Sequence, residues 1–427
     1  VNPESLDELV SPYGVVSAVS DPRPSRICDR LYSCGVEVGT PGPASTRRTT
    51  GRLGGGGRGW ADPALARFVA IAEGAERYAM ALGPDRREII RSTAHALAGE
   101  CLEPFRYPRC SARELADPGC PVRPFDPAAA IRWVTGLDLI SGAPVWVPAV
   151  MACRDLAPAD DAERFVHRLS TGHAVHTDPV EAVVRGTFEV IERDAVAVLW
   201  LQRLALPAVP PAELVASTRH LIECCRRRFV TVRLFDATTD LGVPTVYCLL
   251  TAEHDLRLRH WTAASTARDL PGAAAKALEE AVGLLGLLSE GTVVPGNPAE
   301  FSAVQDGARY MGAPERAAAF DFLLAGAAAA PPPRRPALPE DPDLALAALI
   351  ERLASAGTRP VVIDRTTREL ADVGLTAVNV VIPDLQPLSL HPLAQFTAHP
   401  RLYEAPARMG YRVLPEEELN PWPQPFA

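Results

Sequence analysis

The chain has 427 residues, 47% of them hydrophobic and 22% charged, which excludes intrinsic disorder and predicts a globular protein with a large core and more than one lobe. A net charge of −9 and a pI near 5.6 exclude a protein built to coat nucleic acid, whose phosphates demand a basic face. No apolar run approaches the roughly 20 residues of a membrane helix, and the opening residues lack a signal-peptide pattern, so a cytoplasmic protein without membrane contact is expected. The nine cysteines are irregularly spaced and form no C-x-x-C pair. Buried reduced thiols are the simpler expectation than a zinc ribbon or a redox motif.

In chain order, strand-like residues around Val15 and Val16 come first, followed by a loop-rich stretch from Pro22 to Gly59 that contains LGGGGRGW. Asp62-Pro63 then suits a helix start, and Leu65, Phe68, Val69 and Ala72 recur at helical spacing. From Val145 to Arg168 strand and loop alternate, and a second long helix begins near Asp178-Pro179. A helix over PPAELVASTRHLIECCRRR, strands over FVTVRLFDA and PTVYCLLTA, and an apolar helix over PGAAAKALEEAVGLLGLL follow. Ala325 to Asp343 reads as a Pro/Ala-rich linker, with a helix (ALAALIERLASAG) and two strands (PVVIDRT, AVNVVIPDL) beyond it. The fold class predicted is α+β, as one domain with lobes near residues 1–155, 156–325 and 342–427. The chain closes on NPWPQPFA, whose alternating prolines favour an extended, pre-ordered strand; a solvated terminus is the plain alternative.

Within these elements one pattern occurs twice. Glu73-Gly-Ala-Glu76-Arg77 and Glu189-Val-Ile-Glu192-Arg193 both read E-x-x-E-R in the middle of a long helix. Spacing of three puts the two carboxylates on one face, and spacing of four sets the Arg beside the first Glu. The helix around the second copy, with Phe188, Val190, Ile191 and the run Ala195 to Trp200, is too apolar for a solvated face. Carboxylates there need a partner. A divalent cation is the economical one, since paired oxygens suit Mg²⁺ and Mg²⁺ arrives with substrate phosphates. Glu279 and Glu280 present carboxylates similarly on the third helix. Gly54, Gly56 and Gly59 satisfy G-x-G-x-x-G formally but fail as a Rossmann or Walker loop, which leaves a flexible segment ahead of a helix N-terminus.

Three stretches together resemble the YcaO family, and within it the cyclodehydratases that mature ribosomal peptides: GRGWADPALARFVAIAEGAERY, STGHAVHTDPVEAVVRGTFEVIERDA, and the P-x-P-x-P end. The likeness extends over LFDATTDLGVPTV and VNVVIPDLQPLSL. It implies the YcaO fold, with a nucleotide site built between the long helices carrying the paired ExxER motifs and packed on β-sheets. It also implies ATP-dependent conversion of Cys, Ser or Thr in a precursor peptide to thiazoline or oxazoline, by phosphorylation of the amide oxygen. By motif position, Arg58, Glu73, Glu76, Arg77, Ser170, Glu181, Glu189, Glu192, Arg193 and Glu280 would serve ATP, with Glu73, Glu76, Glu189 and Glu192 holding Mg²⁺. Pro421, Pro423, Pro425 and the terminal Ala427 would lie at the reaction centre.

The chain departs from the family pattern at Val69, where Ser is usual, and at Leu284, where Gln is usual; Arg58 keeps the charge of the usual Lys. The resemblance implies a separate E1-like (ThiF-like) partner that grips the leader peptide, a flavin dehydrogenase downstream if azoles are made, and a homodimer. A scaffold subunit without turnover and a thioamide-forming enzyme are the alternatives. Outside the resemblance, His173-x-x-His176 with Asp178 offers a weak zinc reading and Ser170 with His173 a weaker hydrolase one. Cys224-Cys225 beside Arg226 to Arg228 fits either a low-pKa thiol or a basic helix end.

Overall fold

In the computed structural model the described residues are 3–39, 54–83, 88–289, 294–301, 303, 305–325 and 336–426. Most of the expected linker, residues 326–335, and Ala427 lie outside them. In chain order the elements are β1 (Val16–Val19), β2 (Arg23–Pro24), β3 (Leu31–Val38), β4 (Gly54–Trp60), α1 (Pro63–Ala81), β5 (Ile90–Ser92), α2 (Ala112–Ala116), β6 (Ile131–Asp138), β7 (Pro144–Pro148), α3 (Ala149–Ala152), β8 (His173–His176) and α4 (Pro179–Leu201). Then follow α5 (Ala216–Arg226), β9 (Thr231–Asp236), β10 (Thr245–Thr251), β11 (His260–Thr266), α6 (Leu270–Ser289), α7 (Asp306–Gly312), α8 (Asp321–Leu324), α9 (Pro342–Ser355), β12 (Val361–Asp364), α10 (Arg368–Asp372), β13 (Thr376–Val381) and α11 (Arg401–Arg408). Among the described residues no helix is long and apolar enough to cross a membrane.

The chain divides into two compact units. The first takes Val1–Tyr107, Val122–Val190 and Asp341–Asp384; the second takes Pro108–Pro121, Ile191–Glu340 and Leu385–Ala427. The division falls within α4, after Val190.

The first unit holds two antiparallel sheets. In one, β3 pairs with β1, β2 and β4; in the other the order is β5-β6-β12-β13-β8, with β7 also on β6. Helix α1 packs on β3 and β4 and also meets β8. It starts where the side chain of Asp62 accepts the Leu65 N–H at 2.9 Å and Pro63 pre-sets the first turn. Its buried face is built from small residues, Ala66, Ala70, Gly74 and Ala75, which lets the strand approach closely.

The glycine run is therefore not a flexible loop. It is β4 itself, paired residue by residue with β3 from Leu31↔Trp60 to Glu37↔Gly54. A Cβ on Gly57 would stand 2.1 Å from the Ala66 carbonyl oxygen and 2.2 Å from the Ala70 nitrogen, both backbone atoms of α1. Only glycine admits that contact.

The second unit is organised around the antiparallel sheet β11-β10-β9, with α6 packed on β10 and β11. Every residue of β10 and β11 is buried. The last turns of α4 supply Val196, Ala197, Val198, Leu199 and Trp200 to the same core, none more than 1% exposed. The apolar character read from that stretch is thus a buried helix, as hydrophobicity all round the helix requires.

Candidate functional site

The first ExxER motif stands on α1 in the first unit, and Glu189 of the second stands on α4 in the same unit. Three carboxylates meet one guanidinium there: Arg77 lies 3.3 Å from Glu73 and 3.9 Å from Glu76, and feels Glu189 electrostatically. Burial works against the Arg77 charge, but Glu76, Glu73 and Glu189 outweigh it and raise its pKa. The two leading carboxylates are fixed alike, each by a glycine amide. Gly56 donates to Glu73 Oε2 at 3.2 Å, and Gly172 donates to Glu189 Oε2 at 2.9 Å. Gly172 needs its residue type twice over: its φ is +85°, and a Cβ would stand 2.0 Å from the Val380 carbonyl oxygen. Carboxylate oxygens of this kind are what a hard cation such as Mg²⁺ takes.

Other expected residues of this unit are placed less centrally. Glu181 is buried in the first turn of α4 and bonds Arg185 at 3.0 Å. Spacing of four and eight puts Arg185 and Glu189 on its side of the helix. Ser170 is half-buried just before β8, its carbonyl accepting the His173 N–H. Arg58 sits on β4 opposite Ser33, and since Gly55, Gly57 and Gly59 face α1, strand alternation turns Arg58 to the other face.

His173 and His176 lie on β8, paired with Asn379 and Thr376. Three residues apart on a strand, they point to opposite faces and do not jointly hold a metal ion. His173 is buried, and burial together with Arg365, Arg77 and Arg154 pushes its pKa down to about 3.

In the second unit Glu192 and Arg193 are held by different parts of the fold. Glu192 accepts the Thr266 N–H at 3.0 Å, at the end of β11, and its other oxygen takes a bond from Arg193. The Arg193 guanidinium lies over the ring of Phe426, 4.8 Å from its centre. The proline tail is therefore bound and not a solvated end. Asn420 donates to the Leu201 carbonyl at 2.8 Å, Trp200 Nε1 to the Trp422 carbonyl at 2.9 Å, and Thr262 Oγ1 to the Pro425 carbonyl at 3.0 Å. Pro423, Pro425 and Phe426 are buried, while Pro421 remains exposed. Glu280 is half-buried on α6, electrostatically coupled to Cys248 of β10.

Several contributors escaped the sequence reading. The amides of Gly56, Gly172 and Thr266 carry no side-chain signal. Asp194, next after the second motif, is fully buried and accepts from Arg401 Nη2 at 2.7 Å and from the Gln386 N–H at 2.8 Å. Its one available signal was a charge inside an apolar helix run. Cys224 and Cys225 are buried on α5; Arg226 to Arg228 are exposed at the helix end, and Arg227 Nη2 donates to Cys224 Sγ at 3.3 Å.

Known proteins share this fold. The profile described as YcaO cyclodehydratase, ATP- and Mg²⁺-binding, matches residues 56–386. A heterocyclase solved in complex with substrate and cofactor superposes with a TM-score of 0.81 at 21% identity, covering 100% of this chain and 57% of that one. The YcaO protein of Methanopyrus kandleri bound with AMPPCP and Mg²⁺ gives a TM-score of 0.61 at 20% identity over 90% of this chain and 88% of that one. The E. coli microcin synthetase McbBCD complex gives 0.65 at 15% identity over 96% of each chain. In sequence, an uncharacterized protein in the tfuA 3′ region of Rhizobium leguminosarum bv. trifolii is 31% identical over 124 residues, 28% of this chain and 29% of that protein. The chain thus spans just over half of that heterocyclase and less than a third of that relative. Because the profile covers most of the chain, both ExxER motifs included, the protein belongs to the YcaO family of ATP- and Mg²⁺-binding cyclodehydratases.

Proposed function

We propose that the protein is an ATP-dependent peptide cyclodehydratase that converts Cys, Ser or Thr of a ribosomally made precursor to thiazoline or oxazoline. The observation that carries this reading is the docking of the tail: Pro423, Pro425 and Phe426 are buried, and Phe426 covers Arg193 of the second ExxER motif. A tail held on a phosphate-handling motif has a use in cyclisation that a solvated end would lack.

In the proposed reaction the side-chain thiol or hydroxyl of the peptide gives up its proton to solvent and attacks the preceding backbone carbonyl. The oxygen of the resulting adduct takes the γ-phosphoryl group of ATP, releasing ADP. Loss of the amide proton and of phosphate then leaves the C=N bond of the ring. Phosphoryl transfer is chiefly positioning and charge neutralisation. Arg77 and Arg193 are assigned to phosphate oxygens or to orienting the carboxylates, and Glu73, Glu76, Glu189 and Glu192 to the metal. Bound Mg²⁺ would neutralise developing phosphate charge. Arg58, Ser170, Glu181 and Glu280 are assigned to nucleotide binding. Pro421, Pro423, Pro425 and Ala427 are assigned to the reacting end of the tail. A leader-binding E1-like partner, a downstream flavin dehydrogenase and a homodimer complete the proposal.

The test is to incubate the protein with Mg-ATP, a candidate precursor and its leader-binding partner. The peptide is expected to lose about 18 Da per ring, matched by released phosphate. Glu76→Gln or Glu192→Gln is expected to abolish the loss, and cutting after Leu419 to abolish it while sparing nucleotide binding. Cyclisation that survives the truncation would overturn the role of the tail. A scaffold without turnover is the second reading, supported by Val69, 37% exposed on the Glu73 side of α1, and by buried Leu284, each apolar where the family is polar. Absence of both ring formation and ATP binding would favour it. A gain of about 16 Da with an added sulfide source, in place of the loss, would mark thioamide formation.

A further inference from the structure

We propose that the end of the sheet carrying Phe229 is a docking surface for an acidic polypeptide segment with an apolar anchor residue. The inference is independent of the nucleotide chemistry. Helix α5 stops at Arg226, and the chain wraps back over its end: Phe229 N–H donates to the Arg226 carbonyl and Val230 N–H to the Cys225 carbonyl, each at 3.1 Å. This wrap leaves Phe229 in the left-handed region, with φ +59°. Glycine normally fills that position, because a Cβ is disfavoured there.

Phe229 combines this backbone cost with 80% exposure, so burial within the fold does not offset it. A strained residue whose ring is largely exposed points to a use elsewhere. The register gives that use a place. Thr231 pairs with Thr251, so Phe229 and the turn after β10 emerge at one end of the sheet. There the Phe229 ring meets His254 edge-on at 6.0 Å, and Leu256, two residues further along the turn, is 83% exposed.

Charge selects the partner. The stretch from Cys224 to Phe235 contains four arginines, Arg226, Arg227, Arg228 and Arg233, and no carboxylate, on a chain of net charge −9. All four are exposed. Glu223 is tied to Arg226 at 2.7 Å, and the turn adds Glu253 and Asp255 against Arg257. An exposed aromatic flanked along the chain by exposed arginines matches an extended segment rich in Asp or Glu that inserts a Phe or Leu side chain.

The experiment uses the full chain. A phage-displayed library of random peptides is selected on it and counter-selected on Phe229→Gly. Enriched peptides are expected to combine Asp or Glu with Phe or Leu. A recovered peptide, labelled and followed by fluorescence anisotropy, is expected to bind at least about tenfold more weakly to Phe229→Gly and to Arg228→Glu, and more weakly as salt rises. Phe229→Gly is also expected to raise Tm by roughly 1–3 °C, because it relieves the left-handed backbone. A lowered Tm would show that Phe229 serves the fold and would overturn the proposal. So would enrichment of no peptide, or of peptides without acidic residues. Self-association lost on Phe229→Gly, or binding of a single-stranded RNA at this surface instead, would replace the proposed occupant.

Discussion

Arg193 is held at both ends of its guanidinium, by the Glu192 carboxylate and by the face of Phe426. The ring is 3% exposed and belongs to the core that includes Trp200, Tyr247 and Phe320. Removing it takes away both buried apolar area and a cation–π contact, and Phe→Ala in a core costs about 3–5 kcal/mol. Because Phe426 lies in a terminal segment, that loss is expected to release the tail locally and not to unfold the unit. Hydrogen exchange of residues 415–426 in Phe426→Ala should therefore quicken by roughly a hundredfold or more. The amides and carbonyls that Asn420 and Trp422 lend to Leu201 and Trp200 would be released together. Phe426→Leu keeps most of the burial and should give an intermediate rate. Unchanged protection in Phe426→Ala would mean that the hydrogen bonds alone hold the tail. The resemblance implied only that the prolines lie at the reaction centre; the ring that makes the contact with Arg193 carried no periodic or motif signal.

At the scale of elements, the long helices were legible because capping and spacing agree. Asp62-Pro63 and Asp178-Pro179 open α1 and α4 where expected, each Asp side chain accepting amides of the first turn. The glycine strand was not legible, since GGGGRG has no side-chain alternation to read and its pairing with β3 is set by tertiary contact. Strands β6, β8 and β11 were missed or read as loop for a related reason: β11 is buried on both faces and does not alternate, and HAVH is only one short stretch beside a helix start. This difference between glycines is testable. Gly57→Ala forces a methyl group into the α1 backbone at 2.1 Å, so the fold is expected to lose about 1–3 kcal/mol or more, and Glu73 to lose its Gly56 amide bond as β4 shifts. Gly286→Ala, in open space at an exposed position of α6, is expected to gain about 0.5–1 kcal/mol through helix propensity. Urea midpoints measure both. Equal effects would show that β4 is not held by that close approach.

Across the whole molecule, charge and burial together set how the fold answers to pH. His173 in the first unit and His260 in the second are both buried, and burial, the largest cause at each, pushes their pKa values down to about 3 and about 4. Neighbouring arginines add to the shift: Arg365, Arg77 and Arg154 at His173, Arg259 and Arg233 at His260. Unfolding returns each imidazole to an ordinary pKa of about 6.5. The unfolded chain then binds protons that the folded chain refuses, so stability rises with pH through this window. The contribution is complete above about pH 6.5 and is lost progressively as pH falls toward 4 and then 3. Each histidine changes the folding equilibrium by up to about tenfold per pH unit once the unfolded state is protonated. His176 and His391 are also lowered by burial and act with the same sign. Between pH 7.5 and 5.5 ordinary carboxylates stay ionised, so this interval isolates the histidines. The unfolding free energy from urea titrations is expected to fall across it, with a slope that steepens toward about two or more protons taken up. His173→Asn should remove about one of them near the acid end. The physical reason reaches back to the ExxER cluster: a charged His173 would set another cation beside Arg77, one residue from the Gly172 amide that fixes Glu189. A flat profile would show that the folded chain accepts those protons, and that burial is not what keeps the imidazole beside the cluster neutral.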